Sequence, residues 1–356
     1  LSDQKTVILV SGTNGKTTTT ALVVAGWGGA ITNDTGANMP AGHVAALAGQ
    51  RGHKVVLEVD EAWLANAIAN AVPAVVVLLN LSRDQLDRAN EVRRTSERWR
   101  SALRGPGNAR RVVVANANDP LVVYAASEAT NVRWCDVPTP WQGDAQSCPV
   151  CTRSIRFSED SWSCECGFAK PTVITTTLGE TLRVNGHDVA LDLALPGVFN
   201  ASNAAMALTA LDVLDVNSDD AVRAMNNVRG VAGRFTLRRW KSVTINMLLA
   251  KNPSGFEALL STVSPATSDV WIAINAQIAD GKDPSWLYDV EFEKLRGHCV
   301  WCLGERRLDL ATRLEYAGVD FRVVDDERQL LDLQGTQTLF ANYTAFREWM
   351  TRTTPC

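Results

Sequence analysis

Residues 5–26 read KTVILVSGTNGKTTTTALVVAG, and this stretch decides the fold. Lys5 to Val10 run into β-branched and aliphatic residues, as a buried strand does. Ser11 to Thr20 break the run with Gly, Asn and Thr, and an Ala/Val-rich helical stretch follows. Strand, tight loop and helix in this order form a phosphate cradle. The N–H groups of a Gly-rich loop and the positive end of the helix face the anion. Gly12, Thr13, Asn14, Gly15, Lys16, Thr17 and Thr18 are therefore the expected nucleotide-binding residues, with Lys16 on the β/γ-phosphates and the Thr17 hydroxyl on Mg²⁺. The usual G-x-x-x-x-G-K-[ST] spacing would place Gly where Val10 stands, so the loop is a shortened variant. GKT tripeptides also arise by chance; the flanking strand and helix argue against chance here. A loop lysine is expected to bury little area.

Outward from this unit, strands are expected at residues 54–59 (KVVLEV), 74–79 (AVVVLL) and 111–115 (RVVVA), with helical patterns between them. That alternation predicts an α/β unit with a mostly parallel sheet. Glu58, Asp60 and Glu61 end one strand, and Asn80, Asp84 and Asp87 follow the next. Mg²⁺ takes few carboxylates alongside phosphate oxygens. Glu58 interrupts a buried strand near the phosphate loop, so it is the expected Mg²⁺ ligand beside Thr17. The other acids read equally as solvated loop charges. Residues 134–170 turn rich in Cys, Trp, Ser and Pro, as an inserted module would. Asn185-Gly186 sits in LRVNGHDVALDL as a hairpin turn, and helices are expected over 201–214 and 219–227. A boundary near Gly233-Arg234 divides the chain into residues 1–234 and 235–356. The second part restarts strand–helix alternation at 243–248, 270–275, 299–303, 321–324 and 338–341, the pattern of a smaller α/β domain.

With 356 residues the chain exceeds what one hydrophobic core usually serves. A net charge of −4 argues against nucleic acid as a partner, since such proteins need a Lys/Arg surplus. The longest apolar run, residues 71–81, is short and contains Pro73, so it reads as a buried strand and no transmembrane segment is expected. No secretory h-region opens the chain. It starts at Leu1 directly before a strand, which suggests a preceding segment.

Eight cysteines are too few for a disulfide scaffold in a chain of this length. Cys148-x₂-Cys151 and Cys164-x-Cys166 instead have the look of a zinc ribbon. Each pair can bite one ion, and four thiolates satisfy tetrahedral Zn²⁺; disulfides or free thiols are the alternatives. Gly167 suits the tight turn of a knuckle. A reducing, cytoplasmic location follows. Cys299-x₂-Cys302 repeats the spacing inside an apolar strand, whose residues alternate faces, so it reads as core. There are four histidines and no Cys in a nucleophile elbow, so the chain is not expected to hydrolyse glutamine alone.

GTNGKT, LEVDE, NLSRDQLDR, ANANDP, LPGVFNASNAAMA and AGRF occur here in the order found in the central domain of Mur ligases and folylpolyglutamate synthetases. LLAKNPSG, ADGKDPSWLYDVEFEKL and ANYTAF resemble the C-terminal domain of the MurT-type branch. Gln85 stands where the D-H-x-D motif of the Mur ligases it resembles has a His beside the metal, and the cysteine module interrupts the central domain. The resemblance implies an α/β fold: a Mur-ligase-like central ATPase domain with a parallel sheet and an inserted Cys₄ zinc ribbon, plus the smaller C-terminal α/β domain. It implies ATP-dependent amidation of the D-Glu α-carboxylate in lipid II, through an acyl phosphate, at the inner face of the membrane. It also implies a heterodimer with a GatD-type glutaminase that supplies ammonia. By resemblance Asn200 and Asn203 face adenine, Arg234 the phosphates, and Lys251 and Asn252 close over the nucleotide. Asp283 reads from its own sequence as a helix cap before Pro284; the resemblance adds completion of the partner's catalytic triad. The alternatives are a Mur- or folyl-type amino-acid ligase and a non-catalytic ATP-binding scaffold. The intact Lys16, Thr17 and Glu58 argue against the scaffold.

Overall fold

Runs of Val, Ile and Leu with both faces covered make central parallel strands, and the first sheet is built from such runs. The computed structural model describes residues 5–33, 37–83, 89–105, 107–139, 141–178, 181–184, 186–231, 234–264, 269–330, 333 and 335–356. Asp84, Gln85, Asp87, Asn185 and Gly233, singled out above, lie outside them. The chain divides into an N-terminal unit, residues 1–83 and 88–229, and a C-terminal unit, residues 230–356. Arg234 belongs to the second.

In the first unit the strands are β1 (Thr6–Ser11), β2 (Ile31–Thr32), β3 (Lys54–Glu58), β4 (Val75–Leu78), β5 (Val112–Asn116) and β6 (Val132–Asp136). A small hairpin, β7 (Arg156–Phe157) with β8 (Trp162–Ser163), stands apart from the main sheet. Three more strands, β9 (Thr175–Leu178), β10 (Thr181–Val184) and β11 (His187–Ala190), return to it. The helices are α1 (Lys16–Trp27), α2 (Pro40–Leu47), α3 (Leu64–Ala71), α4 (Ala89–Arg104), α5 (Pro120–Ala126), α6 (Val198–Asp212) and α7 (Ser218–Asn226). The main sheet runs β11-β10-β9-β6-β5-β4-β1-β3-β2. Its pairings are parallel from β2 to β9, and β10 and β11 add antiparallel.

Side-chain alternation splits the core. Val7, Leu9, Leu57, Val76, Leu78 and Val113 face α3, α4 and α5, with Trp99 and Leu103 filling that layer. On the opposite face α6 lies over β4, β5, β6 and β9 and packs against α1 and α7. Because β1, β3, β4, β5 and β6 are parallel, the loops after them all emerge at one carboxyl edge, where open α/β sheets bind ligands. Strand β6 takes Trp134 and Cys135 into the sheet, so the cysteine module begins after Asp136, inside the expected residues 134–170.

The second unit contains β12 (Phe235–Trp240), β13 (Val243–Leu249), β14 (Asp269–Ala273), β15 (Cys299–Leu303), β16 (Asp320–Val323), β17 (Thr336–Ala341) and β18 (Thr354–Pro355). Its helices are α8 (Pro253–Leu260), α9 (Arg307–Ala317) and α10 (Tyr343–Arg352). The order is β16-β15-β14-β17-β13-β12-β18, with β12 and β18 antiparallel at one side. Trp240, Trp271 and Trp349 form its aromatic centre, with ring centroids 5.7 to 6.3 Å apart. Among the described residues no helix is long and apolar enough to cross a membrane.

Candidate functional site

The phosphate loop turns between β1 and α1 on two glycines, each for a separate reason. At Gly12, φ is +148° and a Cβ would lie 2.8 Å from the Leu79 Cβ. At Gly15, φ is +87° and a Cβ would meet Asn203 Oδ1 at 2.5 Å. An L residue in the left-handed region costs about 1–2 kcal/mol, and the close approach adds overpacking. Gly15→Ala is thus expected to lose about 2–4 kcal/mol of unfolding free energy in urea titrations. Adding Asn203→Gly should return the steric part only; an unshifted Gly15→Ala would refute this loop geometry.

Residues 80–83 clamp the loop from the next strand. Asn14 N–H donates to Asn80 Oδ1 at 2.9 Å, and Asn80 Nδ2 donates back to Asn14 O at 3.0 Å. Thr13 Oγ1 donates to Ser82 O and accepts from Ser82 N–H, both at 3.0 Å. The sequence groups Asn80 with the candidate metal-side residues; its amide is instead spent on the loop backbone. Leu81 N–H donates to Asp119 Oδ2 at 2.7 Å, while Asp119 Oδ1 caps α5 through Leu121 and Val122 N–H. Burial raises the Asp119 carboxyl to about 6, against the opposing pull of these three N–H groups.

Lys16 opens α1 and is 4% exposed. Its Nζ donates to Gly12 O at 2.5 Å, Thr13 O at 3.2 Å and Glu61 Oε2 at 2.9 Å. The expectation of a little-buried lysine is therefore wrong: a short loop folds the side chain back on its own carbonyls. Thr17 is half-buried, and Thr18 is buried. Glu58 is 2% exposed. Asn33 exchanges two 2.9 Å bonds with the Glu58 backbone, and His43 Nε2 lies 2.8 Å from Glu58 O. Among the described residues its carboxylate has one partner, Asn38 Nδ2 at 3.4 Å. A buried anion so thinly satisfied suits a cation ligand. On α6, Asn203 Oδ1 accepts from Thr19 Oγ1 at 3.2 Å and its Nδ2 donates to Asn200 Oδ1 at 3.3 Å. The structure thus seats Asn203 against the phosphate loop, with Asn200 beside it.

Arg234, Lys251, Asn252 and Asp283 lie in the second unit. Arg234 immediately precedes β12, and its carbonyl accepts from Leu249 N–H at 3.0 Å. Lys251 is half-buried after β13. Asn252 is buried and caps α8, its Oδ1 accepting Gly255 N–H at 2.8 Å. Asp283 is exposed; its Oδ1 accepts Ser285 N–H at 2.9 Å, which holds the carboxyl below its usual range. This is the turn role read from its own sequence, although the short helix begins at Ser285 with Pro284 as its cap. Asp280 anchors the same segment, accepting from Thr344 N–H at 2.9 Å and from the Thr344 hydroxyl.

Cys148, Cys151, Cys164 and Cys166 bring their Sγ atoms within 4.8 Å of one another. The pairs Cys148–Cys166 and Cys151–Cys164 are 3.8 and 3.4 Å apart. Tetrahedral Zn²⁺ with Zn–S near 2.3 Å requires about 3.8 Å between sulfurs, so the donor set fits. Each pair ends in a left-handed residue, Thr152 at φ +65° and Gly167 at φ +89°. The Arg153 backbone N–H holds the Cys151 thiol down to about 6. Cys302, by contrast, is buried in β15 and pushed up to about 12 by desolvation, and Cys299 points to the other face. Cys135 is likewise buried and inert, near 12.

The family model of the Mur ligase middle domain matches residues 10–211. The chain belongs to the Mur ligase family. Residues 249–346 match the MurT ligase C-terminal model. Among curated relatives, the lipid II isoglutaminyl synthase (glutamine-hydrolyzing) subunit MurT of Staphylococcus aureus strain COL is 28% identical, covering 95% of this chain and 85% of that protein. Its counterpart from Streptococcus pneumoniae strain R6 is 26% identical over 96% and 86%. A solved pseudomurein peptide ligase type C from Methanothermus fervidus superposes with a TM-score of 0.75 at 18% identity, covering 99% of this chain and 79% of that one. The fold is that of the Mur ligases, ATP- and Mg²⁺-using enzymes.

In this Mur ligase the residues that sequence reasoning passed over are mostly supports. Ser82 holds Thr13 of the phosphate loop directly and Asp119 supports it through Leu81; Glu61, read in the sequence only as a strand-end acid, pairs with Lys16. Only Asp119 carried a usable signal: Asp before Pro announces a helix cap.

Proposed function

We propose that this chain is the synthetase subunit of a lipid II isoglutaminyl synthase, forming D-isoglutamine from D-Glu in the stem peptide. The observation that carries the reading is one chain joining a complete phosphate loop to a MurT-type C-terminal domain. ATP transfers its γ-phosphoryl group to one α-carboxylate oxygen with release of ADP, so that oxygen can leave as phosphate; ammonia then attacks the acyl carbon, phosphate departs and a proton is lost. Gly12 to Thr18 hold the phosphates, with Lys16 neutralising developing charge. Thr17 and Glu58 would hold Mg²⁺, which screens the phosphate oxygens. Asn200, Asn203, Arg234, Lys251 and Asn252 are the proposed further nucleotide contacts. Acting beside them is a separate GatD-type glutaminase, bound as a heterodimer, which Asp283 would assist. The site of action is the cytoplasmic face of the membrane, where a lipid-linked acceptor is presented.

Incubating lipid II with ATP, glutamine and both subunits should replace OH by NH₂ on the D-Glu residue, as read by mass spectrometry. Addition of an amino acid instead would establish the amino-acid ligase, and ATP binding without substrate-dependent ADP release would establish the scaffold.

We further infer that the four clustered cysteines hold one structural zinc. Single Ser replacements at Cys148, Cys151, Cys164 or Cys166 should lower the zinc content and destabilise the module, because metal affinity there is folding energy. Cys302→Ser should leave the zinc content unaltered; if it halves the metal, the two C-x₂-C pairs have been assigned the wrong way round.

A further inference from the structure

The cysteine module grips the loop that grips the phosphate loop. Asp144, in the approach to the module, accepts Arg83 N–H at 3.0 Å and the Trp141 indole N–H at 2.6 Å on Oδ2. Its Oδ1 pairs with Arg83 Nε at 2.9 Å, and the Asp144 side chain is 7% exposed. From inside the module, Trp162 donates its indole N–H to Ala117 O at 2.9 Å. Its ring is buried with Cys148, Ile155 and Cys164 against Val123 of α5. Ala117 lies next to the turn whose Asp119 holds Leu81 N–H. A third contact joins Arg93 of α4 to Pro149 O at 3.1 Å, between the first two cysteines. Residues 80–83 thus have the phosphate loop on one side, through Asn80 and Ser82, and the module on the other, directly through Asp144 on Arg83 and indirectly through Trp162 on the turn of residues 117–119.

We propose that metal binding at the four cysteines and nucleotide binding at the phosphate loop are thermodynamically linked, with Asp144 and Trp162 as the positioning residues that couple them. This rests on the reading of residues 12–18 as a nucleotide site. The module has a two-stranded hairpin and a handful of buried side chains for a core, far below what holds a domain together without metal. Losing the ion loosens Trp162 and the segment carrying Asp144. Residues 80–83 then lose their outer support, and a nucleotide must order them at its own expense. Linkage is reciprocal: whatever factor zinc adds to nucleotide affinity, nucleotide adds to zinc affinity.

The test uses the full chain, zinc-loaded and chelator-stripped, titrated calorimetrically with a non-hydrolysable ATP analogue and Mg²⁺. Stripping should weaken analogue binding about tenfold, within the usual range of coupling between sites. Zinc affinity, measured against a competing chelator, should rise by the same factor when the analogue is saturating. The double variant Asp144→Asn, Trp162→Phe should keep its zinc yet bind the analogue as weakly as stripped wild type. Should stripping unfold the chain, this zinc-loaded variant still decides. Equal analogue affinity in loaded and stripped wild type, or wild-type affinity and coupling in the double variant, overturns the proposal. If the loaded wild type binds no analogue at all, the nucleotide reading itself has failed and the linkage falls with it.

Discussion

Lys16→Ala is expected to abolish amidation with either nitrogen source, glutamine or ammonia. In the proposed reaction, activation of the carboxylate as acyl phosphate precedes attack by ammonia, however the ammonia arises, so a defect in phosphoryl transfer cannot be bypassed. The residue is suited to the role: it heads α1, where the helix N-terminus already favours anions. Its ammonium is satisfied by two loop carbonyls and Glu61. Bound phosphate would take over part of that coordination. The burial of Lys16 makes the stability of the variant part of the prediction. Alanine leaves Glu61 and the Gly12 and Thr13 carbonyls without their cation, at about 1–3 kcal/mol, a fraction of an ordinary folding free energy. Lys16→Met keeps most of the stem and isolates the charge. Both variants should melt as folded proteins and release no ADP in the presence of acceptor and ammonia. Ammonia-driven turnover in either would show that the phosphate loop does not activate the carboxylate.

The strands that position this site were legible because Val-rich runs such as residues 75–78 are apolar on both faces and bounded by loop residues. Some strands with mixed faces were not. β12 reads FTLRRW, whose arginines look like solvated loop charges until its antiparallel pairing with β13 is seen. β6 reads VRWCD and was absorbed into the module by its Trp and Cys. The phosphate loop, Glu58 and the four cysteines carry local chemistry, and local spacing is enough to propose them. The supports are different. Nothing near Asp144 in sequence shows that its carboxylate meets Arg83, and nothing near Asn203 shows that it lies against Gly15. Such contacts depend on strand order, which short polar residues do not encode.

Asp283→Asn is expected to lower glutamine-driven amidation by orders of magnitude while leaving ammonia-driven amidation nearly untouched. In the free chain the Asp283 carboxylate has a local role, accepting Ser285 N–H at the entry to the short helix Ser285–Asp289. An asparagine oxygen can accept the same bond, and Asn serves in such turns about as well as Asp. The exposed turn should therefore persist, held also by Asp280 on Thr344, and the proposed heterodimer should still form. What asparagine cannot supply is negative charge. If Asp283 orients a histidine of the glutaminase and stabilises the imidazolium formed as its cysteine attacks glutamine, loss of that charge cripples glutamine hydrolysis. The Ser285 N–H already holds the carboxyl below its usual range, so it stays ionised at neutral pH. Free ammonia enters after the glutaminase and needs none of this. Parallel assays of the two nitrogen sources, on a variant whose assembly is checked by gel filtration, separate the possibilities. Equal loss with glutamine and ammonia would assign Asp283 to the synthetase reaction. No loss with either would leave it the turn residue that its own sequence suggests.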